Sequence, residues 1–211
     1  MVRFQAFLRI IFTSLILASA LSIPASANSE GPRAEKFINT LSTKAIALVS
    51  DEATSSDIKR QGFSKLLKQG FDMDWIGQFV LGRNWNLATP EQRAEYLRLF
   101  EGIIVYSYSK RFNDYSGHQV RVDGHQLGKR NYVFVKSRIF DPARAGSGIN
   151  VTWRLMPKAE SFKIVDLVIE GVSMGITQRN EYNSVIQRNG GKIGALIKAM
   201  RENLETLRSA P

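Results

Sequence analysis

Apolar residues recur at steps of three and four through residues 32–111, the spacing of helices that bury one face. Phe37, Ile38, Leu41, Ala45, Leu48 and Val49 form the first such stripe, and small polar residues at 54–56 interrupt it. Ile58, Phe63, Leu66 and Leu67 mark a shorter helix that stops near Gly70. Asp72 is placed to cap the next one, which carries Trp75, Ile76, Phe79, Val80 and Leu81 before Gly82. In Thr89-Pro90-Glu91-Gln92 an N-cap threonine is followed by proline at the first helical position and by glutamine three residues after the cap. That combination starts a helix and satisfies two of its free amides reciprocally. The helix beyond it carries Tyr96, Leu97, Phe100, Ile103, Ile104, Tyr108 and Phe112 along about five turns, and Ser116-Gly117 is expected to end it.

After Gly117 the period changes to 2, the spacing of strands. Val120 and Val122 alternate; residues 132–140 alternate in both registers; Ile149, Val151, Trp153 and Leu155 alternate opposite Asn150, Thr152 and Arg154. Residues 162–169 are apolar on nearly every position, so that strand needs cover on both faces. Gly124, Gly128, Pro142, Gly146, Gly148 and Pro157 punctuate the strands at intervals short enough for an antiparallel meander. Helices at 178–188 and 192–207 close the chain, the second with Ile193, Leu196, Ile197, Met200 and Leu204 on one face. Helices, then a sheet, then helices packing back define an α+β class.

Residues 1–27 read as an export leader: Arg3 and Arg9 supply positive charge, residues 10–21 an apolar core, and Ala25-Ser26-Ala27 a small-x-small cleavage pattern. Thr13, Ser14 and Ser19 interrupt the apolar run, which falls short of the roughly 20 residues a membrane span needs. No later stretch is long and apolar enough to span, so the remaining residues 28–211 are expected to form one soluble domain, helical over 32–116, sheet over 118–176 and helical again over 178–208. The leader holds two of the 29 basic residues and none of the 19 acidic ones, leaving a formal charge of +8 that favours anionic partners. For an exported chain the abundant anionic surface is the membrane, where each basic residue near the headgroups gains on the order of 1 kcal/mol; nucleic acid is not expected as a partner. A well-solvated surface explains the same excess.

Candidate chemistry is sparse. The chain has no cysteine, which removes disulfides, thiolate nucleophiles and cysteine metal motifs. Its two histidines, His118 and His125, flank strand ends in polar, glycine-containing sequence, the usual setting of a surface histidine. Asp72-Met73-Asp74 reads as capping at a helix start. Asp166 and Glu170 share a strand face and are the candidates for a general acid or base, against the alternative that basic neighbours or solvent satisfy them. No nucleophile elbow, P-loop or dinucleotide fingerprint occurs. Neither a catalytic set nor a metal site is expected.

Two stretches carry a resemblance: FDMDWIGQFVLGRNWNLATPEQRAEYLRLFEGIIVYSYSKRFNDYSG and FKIVDLVIEGVSMGITQRNEYNSVIQRNGGKIGALIKAMRENL. With the strands between them, the chain resembles the MlaC or toluene-tolerance auxiliary family of periplasmic phospholipid-binding proteins over roughly 32–207, including its hopanoid-associated relatives. The resemblance implies an NTF2-like curved antiparallel sheet and a helical portion enclosing an apolar cavity for acyl chains. It implies a monomeric, non-enzymatic shuttle in the periplasm, loaded with phospholipid as cargo and needing no cofactor. Its implied partners are an outer-membrane lipoprotein complex and an inner-membrane ABC transporter with an MCE-domain protein. A hopanoid or other polycyclic-lipid carrier is the alternative within binding proteins, and an NTF2-like enzyme the alternative outside them.

On the matching positions the implied lipid-binding residues are Phe79, Val80 and Leu81; Tyr96, Phe100, Ile103, Ile104, Tyr108 and Phe112 on the long helix; Val133, Val135, Val151, Trp153, Val165 and Val168 in the sheet; and Val172 and Met174 in the EGVSM turn. Phe162 departs from the pattern, which often has tryptophan there, and residues 176–180 match loosely. Docking to the partners is expected to be weak and salt-sensitive, with the basic residues between Arg121 and Arg144 and those of the terminal helices as candidate contacts.

Overall fold

A computed structural model describes residues 26–209, apart from 113, 115, 116, 145 and 147. The expected leader falls outside the described residues up to position 25. Among the described residues seven α-helices and five strands follow, with one 3-10 turn at Lys129–Asn131: α1 (Ser26–Ser50), α2 (Ser56–Gly70), α3 (Met73–Leu81), α4 (Asn84–Leu87), α5 (Pro90–Ser109), β1 (Gln119–Leu127), β2 (Val133–Phe140), β3 (Ile149–Lys158), β4 (Ser161–Ile169), β5 (Val172–Ser173), α6 (Met174–Arg188) and α7 (Ile193–Ser209). The class is α+β, with a curved antiparallel sheet of order β1-β2-β3-β4-β5. None of the described helices is long and apolar enough to cross a membrane.

The helix starts follow from their caps. Ser55 accepts the amide of Ile58 at α2, and Asp72 accepts that of Trp75 at 3.2 Å at α3. At α5 the Thr89 hydroxyl accepts the Gln92 amide at 3.2 Å while the Gln92 side chain accepts the Thr89 amide at 3.1 Å, completing the capping box. The far end of α5 differs from expectation: the helix stops at Ser109, with Phe112 beyond it in a turn. Ser109 Oγ donates to the Tyr106 carbonyl at 3.1 Å, a local bond of the kind that competes with helix continuation. Helix α6 starts at Met174, four residues before the expected 178, because Ser173 caps it through the Ile176 amide at 3.1 Å. The single turn α4 has no periodic signal and was not expected.

In the sheet, β2 and β3 pair so that Val133, Val135 and Ser137 stand opposite Leu155, Trp153 and Val151 on one face. Helix α1 covers that face, and Ala34 and Ile38 are fully buried against Val133, Val135, Leu155, Phe162 and Ile164. The other face of β3 is the polar one: Asn150 is exposed and the Arg154 guanidinium lies 5.6 Å from the rings of Tyr132 and Phe134. The strands bend at two bulges, one at Val122/Gly124 on β1 and one where β4 crosses Arg154/Leu155; a bulge adds local twist and curvature. Pro157 continues β3 rather than ending it. It pairs with Phe162 beyond Leu155, the last β3 residue in register with β2, so its missing amide costs no bond to β2.

Strand β4 has cover on both faces, as its continuous apolar run requires. Ile164 and Phe162 join the α1-covered cluster, whereas Asp166 turns to α6. The remaining helices form their own layer, in which α5 packs on α7 and α3 on α6. Its core contains Val80, Leu81, Tyr96, Leu99, Phe100, Ile186 and Leu196, each at most 4% exposed. Burying an aliphatic or aromatic side chain to that extent contributes about 1.5–3 kcal/mol.

Candidate functional site

Ten of the seventeen candidate lipid-binding residues fall into two clusters. On the helical side Val80, Leu81, Tyr96 and Phe100 are core, with Phe79, Ile103 and Ile104 half-buried at its margin. Tyr96 is fully buried and donates its hydroxyl to the Gly77 carbonyl at 3.0 Å. Its ring stacks on Phe100 at 5.8 Å, and the Tyr182 ring stands edge-on to both at 6.1 and 6.4 Å. Gly77 allows this close approach, since a Cβ there would lie 2.5 Å from Leu97 Cδ2. Burial pushes the phenols of Tyr96 and Tyr182 far above their ordinary range, so both stay neutral.

On the sheet side Val133 and Val135 belong to the α1-covered cluster, and Trp153 packs against it. Trp153 Nε1 donates to Ser137 Oγ at 2.8 Å, and that hydroxyl donates to the Val151 carbonyl at 3.4 Å. Val151 and Val165 are buried and Val168 half-buried. Phe112 is buried against Phe63, with ring centroids 5.4 Å apart, while Tyr108, 6.5 Å from Phe63, is 43% exposed. Val172 stands apart from the rest: it is 52% exposed on β5, although Met174 beside it is half-buried. The structure therefore divides those ten between a helical wall and a sheet wall rather than joining the candidates in one continuous lining.

Asp166, Glu170, His125 and Asp72 each make bonds that join elements of the fold. Asp166, 5% exposed, accepts the Ser173 hydroxyl at 2.7 Å and the Gly175 amide at 3.0 Å, joining β4 to the first turn of α6. Glu170 occupies a positive-φ position with Gly171 in the two-residue turn between β4 and β5, and its carboxylate accepts the Asn150 amide. His125 straps β1 to α1 through Glu35, with 2.6 Å between Nδ1 and Oε1, and its ring lies against Gly31, where a Cβ would be 1.9 Å from Nε2. Asp72 both caps α3 and pairs with Lys158 at 3.2 Å. No cluster of metal-binding side chains occurs among the described residues.

One feature of the surface escaped the periodicity. A cleft of about 430 Å³ runs between α1 and the β3–β4 turn, with Phe37, Leu41 and Phe162 as its floor and Arg33, Lys36 and Lys44 around it. The apolar stripe of α1 reads only as core in the sequence. Its flanking cations have no meaning there until Glu160 and Phe162, far away in the chain, are folded beside them. A smaller cleft of about 180 Å³ lies near His118 and Ile149.

Together these features define an α+β protein whose apolar interior is divided between a helical layer and a helix-covered curved sheet, with its buried carboxylate committed to structural bonds. The chain belongs to the MlaC family, whose model matches residues 39–202. It is 24% identical over 134 residues to the intermembrane phospholipid transport system binding protein MlaC of Haemophilus influenzae, an alignment spanning 63% of this chain and 62% of that protein's length. Its fold is similar to that of a phospholipid-binding protein from Ralstonia solanacearum solved in complex with a phospholipid. That likeness has a TM-score of 0.73 and 20% identity, and covers 83% of this chain and 99% of the other.

Proposed function

We propose that this chain is a periplasmic, non-enzymatic carrier of phospholipid that acts after removal of its leader. The match of residues 39–202 to the MlaC family carries this reading. Two similar proteins support it, one a binding protein of a phospholipid transport system and the other solved in complex with a phospholipid. The acyl chains lie along Phe79, Ile103 and Ile104 at the margin of the helical layer, a separation of side chains that pack against its core when the protein is empty. Each methylene withdrawn from water contributes about 0.8 kcal/mol, enough over two tails to offset that separation. No covalent step is needed. The carrier exchanges its cargo, as a monomer, with an outer-membrane lipoprotein complex and an inner-membrane ABC transporter bearing an MCE-domain protein.

Incubation of the purified mature chain with phospholipid vesicles, followed by separation and lipid analysis, tests the reading. The wild-type protein should leave with lipid. Ile104→Asp should melt cooperatively and carry little, because an ionised carboxylate beside acyl chains costs several kcal/mol. A folded Ile104→Asp protein with a full lipid complement removes this residue from the wall, and a wild-type protein that takes up nothing contradicts the carrier reading.

A further inference from the structure

We propose that the cleft between α1 and the β3–β4 turn binds the phosphate headgroup of an anionic lipid, and that it gives this carrier a preference for anionic over zwitterionic cargo. The inference rests on the carrier reading and adds the class of headgroup.

Arg33, Lys36, Phe37, Leu41 and Lys44 recur at steps of three and four, so α1 turns one mixed basic and apolar face to the cleft. Arg33 is already held in place: it pairs with Glu30 at 3.1 Å, donates to the Glu160 carbonyl at 3.0 Å, and lies 5.7 Å from the Phe162 ring centre. A guanidinium has five N–H donors in a fixed fork, so donors remain for a phosphate oxygen. Among the described residues neither Lys36 nor Lys44 has an ion-pair partner, and Glu160 is the one carboxylate residue lining the cleft. Three cations against two carboxylates, Glu160 in the lining and Glu30 on Arg33, leave a net positive charge that favours an anionic ligand. A zwitterionic headgroup brings an ammonium that these cations repel.

The floor explains why the ligand is a lipid rather than a free phosphate ester. Phe162 is 3% exposed in the sheet cluster, and Phe37 and Leu41 pack against the same cluster as Val133, Val135 and Trp153. A headgroup seated between the cations therefore starts its tails on apolar side chains that continue into the sheet wall. The volume of about 430 Å³ suits this division, because it falls in the lower part of the roughly 300–1,000 Å³ typical of small-ligand sites.

The test uses the mature chain and vesicles of equal parts phosphatidylglycerol and phosphatidylethanolamine, with protein-bound lipid extracted and quantified. Wild-type protein should enrich phosphatidylglycerol by about fivefold, the scale set by two exposed ion pairs. In Lys36→Gln/Lys44→Gln the enrichment should fall to parity, with the melting temperature unchanged. Parity in the wild type, or enrichment that survives in the double variant, overturns the inference and leaves the carrier reading standing. Wild-type protein that takes up neither lipid overturns the carrier reading itself. Glycerol phosphate in solution should shift the amides of residues 33–44 only weakly; binding as tight as that of the lipid would make this a site for free phosphate esters and overturn the proposal.

Discussion

Tyr96 illustrates how much a single position contributes and how little of that is visible in the chain. Its place in a helical apolar stripe marks it as buried, but its hydroxyl bond to the Gly77 carbonyl depends on α3 and α5 meeting at a glycine. Tyr96→Phe should cost about 1 kcal/mol of stability, the usual net worth of one hydrogen bond, measured by denaturant unfolding. The raised phenol also sets a sign. An unfolded tyrosine loses its proton near pH 10, whereas folded Tyr96 keeps it, so the unfolded state binds fewer protons there. Stability is therefore fully present below pH 10 and falls as pH rises beyond it, and Tyr96→Phe should flatten that decline. At Asp166 the sequence left a general acid and a satisfied carboxylate both open, and the bonds to Ser173 and Gly175 support the second. Asp166→Asn should cost about 1–3 kcal/mol in thermal or denaturant unfolding and leave lipid uptake by the folded protein intact. Normal stability with lost turnover of some substrate would instead revive an enzymatic role.

At the scale of elements, legibility tracked the locality of the signal. The start of α5 was readable because Thr89, Pro90 and Gln92 make the cap by themselves, and Thr89→Ala should lower stability by about 1 kcal/mol. The alternation in β1 to β3 likewise placed the meander, since period 2 needs no distant partner. The end of α5 and the start of α6 were misplaced because a serine decided each: Ser109 through the Tyr106 carbonyl, Ser173 through the Ile176 amide. Helix α1 was legible as an amphipathic stripe. Its second use, as a wall of the cleft, was not, since that depends on the β3–β4 turn more than a hundred residues away.

For the whole molecule, pattern alone reached the α+β class, and the motifs carried by α3, α5 and β4 to α7 reached the family. They could not divide apolar side chains into core and lining, because the same Phe, Ile and Val residues serve either role and the two walls pack against their own layers. The excess of positive charge adds an expectation at this scale. If docking to membrane complexes is electrostatic, raising the ionic strength should weaken it, since exposed charges are screened beyond about 8 Å at physiological salt. Binding unchanged between low and high salt would count against that mode. The central claim is that the folded chain carries a phospholipid. Native mass spectrometry of the protein purified from a bacterial periplasm tests it most directly. The account predicts a species heavier than the mature chain by one phospholipid, released intact on denaturation; repeated recovery of the bare polypeptide, with no lipid in the extract, would contradict it.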